Sequence, residues 1–359
     1  MINYFGRKII YGFLILWGVT TVIFLLFNVL PGDPAKMMMG QRGDISSLEA
    51  IKKDMGLDRS LMVQYIKYID DLSPISIYKS ENKSSFFYLD PEKYTSYFTL
   101  LKASDYKLIV KPPYLRRSYQ SKRNVSLIIA ETIPNTFILA LTSIVLASVI
   151  GIFLGIIAAI KKGSVYDRAS LFFASFGMSL PSFFAAIIIG WLFAYVLGEY
   201  TNLNLTGNLF TIDDYGEGSY LSLKNLILPT LTLGIRPLSI VLQLTRNSLL
   251  DVLSQDYIRT AKAKGLSYRV VVLKHALKNA LNPVVTAISG WFASLMAGVV
   301  FIEFIFGWKG LGFVIVDALN KYDLPLVLGC VLTISAMFVL INLFVDVLYG
   351  ILDPRVRVS

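Results

Sequence analysis

Long runs without charged residues dominate the pattern of apolar and polar positions along this chain. The uninterrupted runs are Ile9 to Gly32, Thr132 to Ile160, Ala169 to Gly198, Asn279 to Ile302 and Leu324 to Val345. A further apolar run, Leu226 to Leu250, is interrupted by Arg236. Each run reaches the roughly 20 residues that a helix needs to cross about 30 Å of hydrocarbon. Because a backbone in lipid must bond to itself, the pattern predicts an all-α polytopic membrane protein with about six transmembrane helices.

Composition and charge agree with this prediction. Hydrophobic residues make up 55% and charged residues 16% of the 359 residues, an apolar share that a soluble globule rarely reaches. With the N-terminus placed in the cytoplasm, the inside segments carry 14 Lys and Arg, and the short outside loops carry 3. This positive-inside asymmetry predicts that both termini are cytoplasmic. The net charge of +10 therefore indicates a lipid bilayer as partner rather than a nucleic acid.

The spans divide the chain into segments. Residues 1–32 hold the N-terminus and helix 1, whose apolar run is too long for a signal sequence, so we interpret it as uncleaved. Residues 33–130 have mixed composition and predict a small folded external subdomain, in which strands are one option. Residues 131–350 form a five-helix core with a cytoplasmic loop at 251–283, and residues 351–359 are a cytoplasmic tail.

A few residues in and near the spans have special chemistry. Pro181 lies within the third run and predicts a bend. Gly151 and Gly155 form a G-x-x-x-G pair that permits close helix packing. Cys330 is the single cysteine and His275 the single histidine, so a cysteine and histidine zinc cluster is excluded and no metal site is expected. Cys330 is interpreted as a packing residue.

Polar residues in the spans are the candidates for a translocation pathway. Arg236 lies inside a span, where a charge in hydrocarbon costs at least about 2.5 kcal/mol. It lines water or contacts another helix, unless its helix begins late and the side chain snorkels to an interface. The hydroxyl candidates are equally compatible with ordinary hydrogen bonds within or between helices. The pathway candidates are Ser179, Ser182, Thr230, Thr232, Arg236, Ser239, Gln243 and Ser289.

The loop at 251–283 is basic and amphipathic, with apolar residues at largely helical intervals. Gly265 is placed to end one short helix, and Leu266 and Ser267 to begin another. The small residues Ala261 and Ala263 would let a partner approach closely. Two interpretations remain open on composition alone: a helix that docks into an acidic groove of a partner protein, or a helix that lies on anionic lipid.

Residues 257–266 (YIRTAKAKGL) and 274–283 (KHALKNALNP) resemble the cytoplasmic signature loop of ATP-binding-cassette (ABC) importer permeases, closest to the dipeptide, oligopeptide and nickel branch. The general loop has Glu-Ala-Ala, three residues and Gly. Here Arg259, Thr260, Ala261 and Gly265 stand at those positions, a departure typical of the peptide branch. Further segments resemble the same family in chain order, at 28–34, 55–59, 64–65, 133–136, 303–312 and 346–357.

The resemblance implies a complex with a homologous second permease, two ATPase subunits and an external solute-binding protein, in the plasma membrane of a prokaryote. The chain contains no Gly-Lys dipeptide and hence no G-x-x-x-x-G-K phosphate loop. We therefore expect no enzyme activity and no cofactor in this chain, with ATP and Mg²⁺ bound by the partner ATPases. The residues implied in coupling to an ATPase are Asp256, Tyr257, Arg259, Thr260, Ala261, Lys262, Ala263, Lys264 and Gly265.

Two departures from the family bear on structure. Lys309 stands where the family usually has proline, which predicts a less rigid loop before the last helix. Residues 73–114 resemble an insertion in the external segment, and the family assigns it no role.

Other classes of protein fit the sequence less well. A secondary transporter driven by an ion gradient often has buried carboxylates near the membrane midplane, whereas Glu303 and Asp346 lie at predicted span ends, where no special role is required. A membrane-embedded enzyme is disfavoured by the single histidine and the absence of an H-E-x-x-H motif. An exporter subunit is disfavoured by the importer-type loop. The sequence leaves the solute undetermined.

Overall fold

The structure is a computed structural model and describes residues 2–29, 59–79, 94, 96–103, 106–212 and 218–352. Within these residues four helices are long and apolar enough to cross a membrane, and two bent helix pairs raise the number to six if each pair is one span. The prediction of about six spans is confirmed on this count. The four long spans are Gly6–Leu26, Val125–Ile160, Lys224–Leu253 and Leu324–Val347.

Helices account for most of the described chain. They are α1 (Ile2–Val29), α2 (Leu61–Leu72), α3 (Val125–Ile160), α4 (Val165–Ser179), α5 (Ser182–Gly190), α6 (Gly198–Thr201), α7 (Lys224–Leu253), α8 (Asp256–Ala263), α9 (Tyr268–Val270), α10 (Leu277–Ala280), α11 (Asn282–Gly298), α12 (Val300–Ile305), α13 (Leu311–Asn320) and α14 (Leu324–Leu352). Two π-helical segments occupy Trp191–Val196 and Val271–Ala276. The strands are β1 (Ile75–Lys79), β2 (Phe98–Ala103), β3 (Tyr106–Val110), β4 (Phe210–Ile212) and β5 (Ser219–Leu221).

The third apolar run is broken rather than merely bent. α4 and the stretch from Ser182 to Val196 meet at 108°. Leu180 is extended, with ψ 127°, because a residue before proline is disfavoured in helical geometry. Pro181 then begins the next helix, where its missing N–H leaves no intrahelical bond unmade. The expectation of a single bent helix over this run is therefore corrected to two helices.

The chain divides into two compact units, and the larger contains Met1–Leu14, Thr132–Val316 and Thr333–Ser359. In this unit α7 packs against α4, α5, α11 and α12. The main apolar core contains buried side chains of α3, α7, α11 and the loop after α12, among them Leu139, Leu228, Leu233, Met296 and Trp308. α7 is thus the central helix of the larger unit.

Gly151 and Gly155 bring α3 into close contact with α7. A Cβ atom on Gly155 would lie 2.6 Å from Cβ of Thr245 and 2.8 Å from the carbonyl oxygen of Leu242. A Cβ atom on Gly151 would lie 2.9 Å from the carbonyl oxygen of Leu238. These distances are too short for any larger residue without movement of one helix, so the packing interpretation of the G-x-x-x-G pair is confirmed.

Replacing Gly155 by leucine is expected to force α3 away from α7 and to destabilise the larger unit by about 3 kcal/mol or more, because overpacking displaces backbone here rather than a flexible side-chain end. The matched control is Gly18→Leu in α1, where no atom in the described part of the chain lies within 4 Å of the added Cβ. The measurement is the thermal midpoint and the monodisperse fraction in detergent. Equal behaviour of the two variants would contradict the close contact.

The smaller unit contains Ile15–Glu131 and Asp317–Leu332. Here α2 packs on α1, where the hydroxyls of Thr21 and Tyr65 are 2.6 Å apart and the rings of Phe24 and Tyr65 are centred 5.2 Å apart. Asp323 is buried and accepts hydrogen bonds from the hydroxyl of Ser118 and the backbone N–H of Tyr119. Cys330 belongs to this unit and is fully buried, consistent with a packing role.

A small antiparallel sheet with strand order β1-β3-β2 lies in the segment that the sequence predicts to be external. One of its faces buries Tyr78 and Ile109 against Tyr94, and the phenol of Tyr94 donates to the carboxylate of Asp71. Strands, which were one option for this segment on its composition, are therefore present. All three lie in the predicted insertion at 73–114.

Several sequence predictions fall wholly or partly outside the described residues. They concern the motif at 28–34 beyond Val29, residues 55–58, the parts of the insertion at 80–93, 95 and 104–105, and the tail from Asp353 onward.

Candidate coupling surface and translocation helix

The loop after α7 has the helix, turn and helix that the sequence predicted. α8 ends at Ala263, and the backbone N–H of Gly265 donates to the carbonyl of Lys262 at 2.9 Å. Gly265 has φ +78°, and no atom of the described residues lies within 4 Å of the point where a Cβ on this residue would stand. The position therefore favours glycine because of its left-handed backbone and not because of a lack of space. The chain then returns through α9, the π-helical segment and α10 to α11.

The inward face of α8 packs on the chain's own apolar residues. Ile258 is fully buried and Ala261 nearly so, in a cluster with Leu249, Val271 and Val272. The sequence placed Ala261 among the residues that contact an ATPase. In the structure this side chain is buried in the cluster, where its small size fits the packing of the loop itself, and we therefore expect it to make no direct contact with a partner.

The outward face of α8 carries the remaining residues that the sequence assigned to coupling. Three basic side chains stand there against one acidic side chain, so this face is positive. The amide of Asn279 donates to the hydroxyl of Tyr257 at 2.9 Å, which ties the start of α8 to α10. The exposed residues are Asp256, Tyr257, Arg259, Thr260, Lys262, Ala263, Lys264 and Gly265.

An ion pair braces the base of this loop. Arg246 near the end of α7 donates from Nε to Oδ1 of Asp167 at 2.6 Å and from a terminal nitrogen to Oδ2 at 2.9 Å. Asp167 lies in the first turn of α4, and its Oδ2 also accepts from the backbone N–H of Gly163 at 2.8 Å. A two-point contact fixes direction as well as distance, so α4 and the end of α7 are held in one orientation.

Replacing Asp167 by asparagine is expected to destabilise the larger unit by about 2 kcal/mol, because it leaves a mostly buried guanidinium without its counter-charge. The matched control is Asp317→Asn, which removes an exposed pair with Lys321 and should change stability by less than about 0.5 kcal/mol. Thermal midpoints of the two variants check the difference. A control as damaging as the test variant would refute the bracing role.

The pathway candidates separate into two groups in the structure. Thr230, Thr232 and Ser239 are buried and bond within the bundle: Thr230 to the hydroxyl of Thr142 at 3.0 Å, and the other two to carbonyls four residues earlier. These three hydroxyls are therefore used in helix packing here, and a role for them in the pathway stays a prediction. The candidates that keep some exposure are Ser179, Ser182, Arg236, Gln243 and Ser289.

Glu303 is a buried carboxylate that sequence reasoning dismissed as a span-end residue. Its Oε1 accepts from the hydroxyl of Thr136 at 2.7 Å, and its Oε2 accepts from the backbone N–H groups of Gly312 at 2.7 Å and Phe313 at 3.1 Å. The N–H of Leu311 donates to Oγ1 of Thr136 at 2.8 Å. Glu303 and Thr136 together cap the first turn of α13.

Comparison with known proteins identifies the family. Residues 151–358 match the binding-protein-dependent transport system inner membrane component, and residues 1–84 match the N-terminal part of a binding-protein-dependent transport system membrane component. The chain belongs to this permease family. It is therefore an inner-membrane permease subunit, as the signature loop predicted.

The permease matches curated relatives over nearly its whole length. It is 32% identical over 370 residues, covering 99% of this chain and 100% of the relative, to the dipeptide transport system permease protein DppB of Alkalihalophilus pseudofirmus. It is 33% identical, covering 99% of each chain, to the glutathione transport system permease protein GsiC of Escherichia coli. A solved structure of the MetNI methionine ABC transporter matches 64% of this chain and 97% of its own, with 15% identity and TM-score 0.47.

In this permease the loop around Lys309 is well anchored. The indole N–H of Trp308 donates to the carbonyl of Asn135 at 2.9 Å, and the amide of Asn135 donates to the carbonyl of Lys309 at 2.8 Å. The backbone N–H of Lys309 donates to Oδ1 of Asn208 at 2.6 Å, a bond that proline could not make. These bonds tie the loop to α3 and to Asn208, and the lower rigidity expected from the missing proline stays a prediction.

Asp346, the other acid near a span end, forms an ion pair with Lys8. Among the residues that the structure describes, no group of three or more His, Cys, Asp or Glu side chains could hold a metal ion.

Proposed function

We propose that this permease forms half of the translocation pathway of an ABC importer for dipeptides, oligopeptides or related small solutes, and that it couples this pathway to separate ATPase subunits. The observation that carries the proposal is the helix α8, whose basic outer face is exposed while its inner face is fixed on the chain's own core. A surface helix whose inner face is packed on the core can transmit the movement of a bound partner to the rest of the permease. The peptide and glutathione names of the relatives support the solute class.

The proposed assembly contains a homologous second permease, two ATPase subunits and an external solute-binding protein. ATP and Mg²⁺ bind to the ATPases, and this chain supplies no nucleotide site and no cofactor. Both termini and α8 face the cytoplasm, in agreement with the asymmetry of Lys and Arg along the sequence. The positive face of α8 suits an acidic groove on an ATPase, since complementary charge steers association.

Closure of the two ATPases on ATP would move the docked helix toward its counterpart on the second permease. Ile258 would carry this movement to Leu249 on α7, because the two residues share one apolar cluster. The bond from Arg246 to Asp167 would carry it on to α4. Rigid helices that relay the movement in this way can switch a cavity between inward-facing and outward-facing states.

The experiment that tests the proposal is uptake by proteoliposomes that contain the assembled complex and its binding protein. We expect uptake of a labelled tripeptide to require ATP and to continue when proton and sodium gradients are collapsed. Uptake that persists without ATP and stops when an ion gradient is collapsed would replace the importer by a secondary transporter.

A further inference from the structure

One face of α7 is not covered by the residues that the structure describes. Toward α3 the helix presents Leu238, Val241, Leu242 and Thr245, which lie against the glycine pair of that helix. Toward α4 it presents Ile235 and Ser239, which lie against Gly177. At 100° per residue, four further positions fall within a sector of about 60°. These positions are Arg236, Ile240, Gln243 and Asn247, and all are exposed or half-buried.

This open stripe is closed at one end. Toward the start of α7, Asn225 and Pro229 lie in the same sector, and Thr232 and Leu233 lie about 20° outside its two edges; all four are buried. Leu233 lies in the main apolar core with Leu139. The stripe therefore begins at Arg236 and continues toward the end of the helix that leads into the coupling loop. Along it lie Ile240 and the amide side chains of Gln243 and Asn247.

Arg236 lies at the middle of the apolar part of α7. This part runs between Asn225 and Arg246, about 31 Å at 1.5 Å per residue, which matches the hydrocarbon thickness. Arg236 is thus some 15 Å from either end, beyond the reach of a snorkelling side chain. Among the residues that the structure describes, no hydrogen bond or ion pair to its guanidinium is found. A bare cation at this depth is unfavourable in lipid, so the stripe faces water or a partner subunit.

We propose that Arg236 binds the carboxylate of the solute during its passage along this stripe. A guanidinium presents a planar fork of donors that matches a carboxylate at two points. Gln243 lies about 10 Å further along the axis, roughly three extended residues of a bound chain, where its amide can pair with peptide groups. The ligand class is therefore a short peptide or other small solute with a free carboxylate. This inference rests on the proposed function, because it requires that α7 borders the pathway.

The test uses a tripeptide with a photoreactive central leucine, prepared as the free acid and as the C-terminal amide. Each form is irradiated with the full permease and ATPase complex in nanodiscs without the binding protein, and the label on residues 236–250 is quantified by mass spectrometry. We expect the free acid to label this stretch at least about tenfold more than the amide, as a charge-assisted pair requires. Arg236→Gln should reduce the acid to the level of the amide, and Arg236→Lys should give an intermediate result.

The matched control is Lys224→Gln, which removes an exposed cation from the first turn of the same helix and should leave labelling unchanged. Intact assembly of each variant is checked by size-exclusion chromatography. A second measurement needs no variant: unlabelled free acid, but not unlabelled amide, should reduce the labelling of the wild-type complex. An acid-to-amide ratio that is near one in the wild type, or is unchanged in Arg236→Gln, overturns the inference. ATP-driven uptake by the wild type, measured separately, decides the proposed function, so the two can fail independently.

Discussion

Replacing Glu303 by alanine is expected to destabilise the larger unit by about 3 kcal/mol or more and to lower its thermal midpoint by several degrees. The change leaves the hydroxyl of Thr136 and the N–H groups of Gly312 and Phe313 without their acceptor. Each such buried group costs roughly 1–3 kcal/mol when its partner is removed. Transport should fall with the amount of folded permease, because the first turn of α13 loses its cap.

The matched variant is Glu303→Gln, which keeps the volume and retains one oxygen that can accept from Gly312 and Phe313. It should lose less than half as much stability as the alanine variant. If glutamine were as harmful as alanine, the negative charge itself would be required, and the capping explanation would be insufficient. If both variants were as stable as the wild type, the buried network around Glu303 would be contradicted.

Replacing Gly265 by valine is expected to reduce ATP-driven uptake at least tenfold while the ATPase subunits still hydrolyse ATP. At φ +78° a β-branched residue is strained by about 1–3 kcal/mol. The turn would shift to relieve this strain, and the end of α8 would move with it. Uptake and hydrolysis measured on the same proteoliposomes give the ratio that reports uncoupling.

Gly265→Asn is the control for this prediction. Asparagine adopts the left-handed region more readily than other side chains, and the position has room for it, because none of the residues that the structure describes comes within 4 Å of the added Cβ. The asparagine variant should retain most uptake. Equal loss in both variants would mean that Gly265 acts through a surface contact and not through the backbone of the turn.

The spans could be predicted well from the sequence because the thickness of the hydrocarbon layer constrains the length of each helix separately. A run such as Thr132 to Ile160 shows this length directly in consecutive residues. The turn at Gly265 could also be predicted from local sequence, because a left-handed backbone at one position favours glycine at that position. The break at Pro181 was only half predicted. A proline indicates a bend, but whether the helix continues depends on the neighbours that satisfy the freed carbonyl groups.

The role of Glu303 could not be read from the sequence. Its hydroxyl partner Thr136 lies 167 residues away, and only the fold places the two together. A signal existed nonetheless, because both residues fall in segments that resemble the same family. The inward direction of Ala261 was missed for another reason. A small side chain serves close packing within a chain and between chains equally, and the helix periodicity did not show which face was covered.

The most direct measurement for the coupling surface is cysteine crosslinking in the intact, transporting complex. Cysteines at Thr260 and Ala263 lie on the exposed face of α8, and a cysteine at Ala261 lies on the buried face; the native Cys330 is fully buried and can stay in place. We expect crosslinks to an ATPase subunit from 260 and 263 and none from 261. Adducts of 260 and 263 with lipid alone, in an assembly that imports its solute, would contradict it.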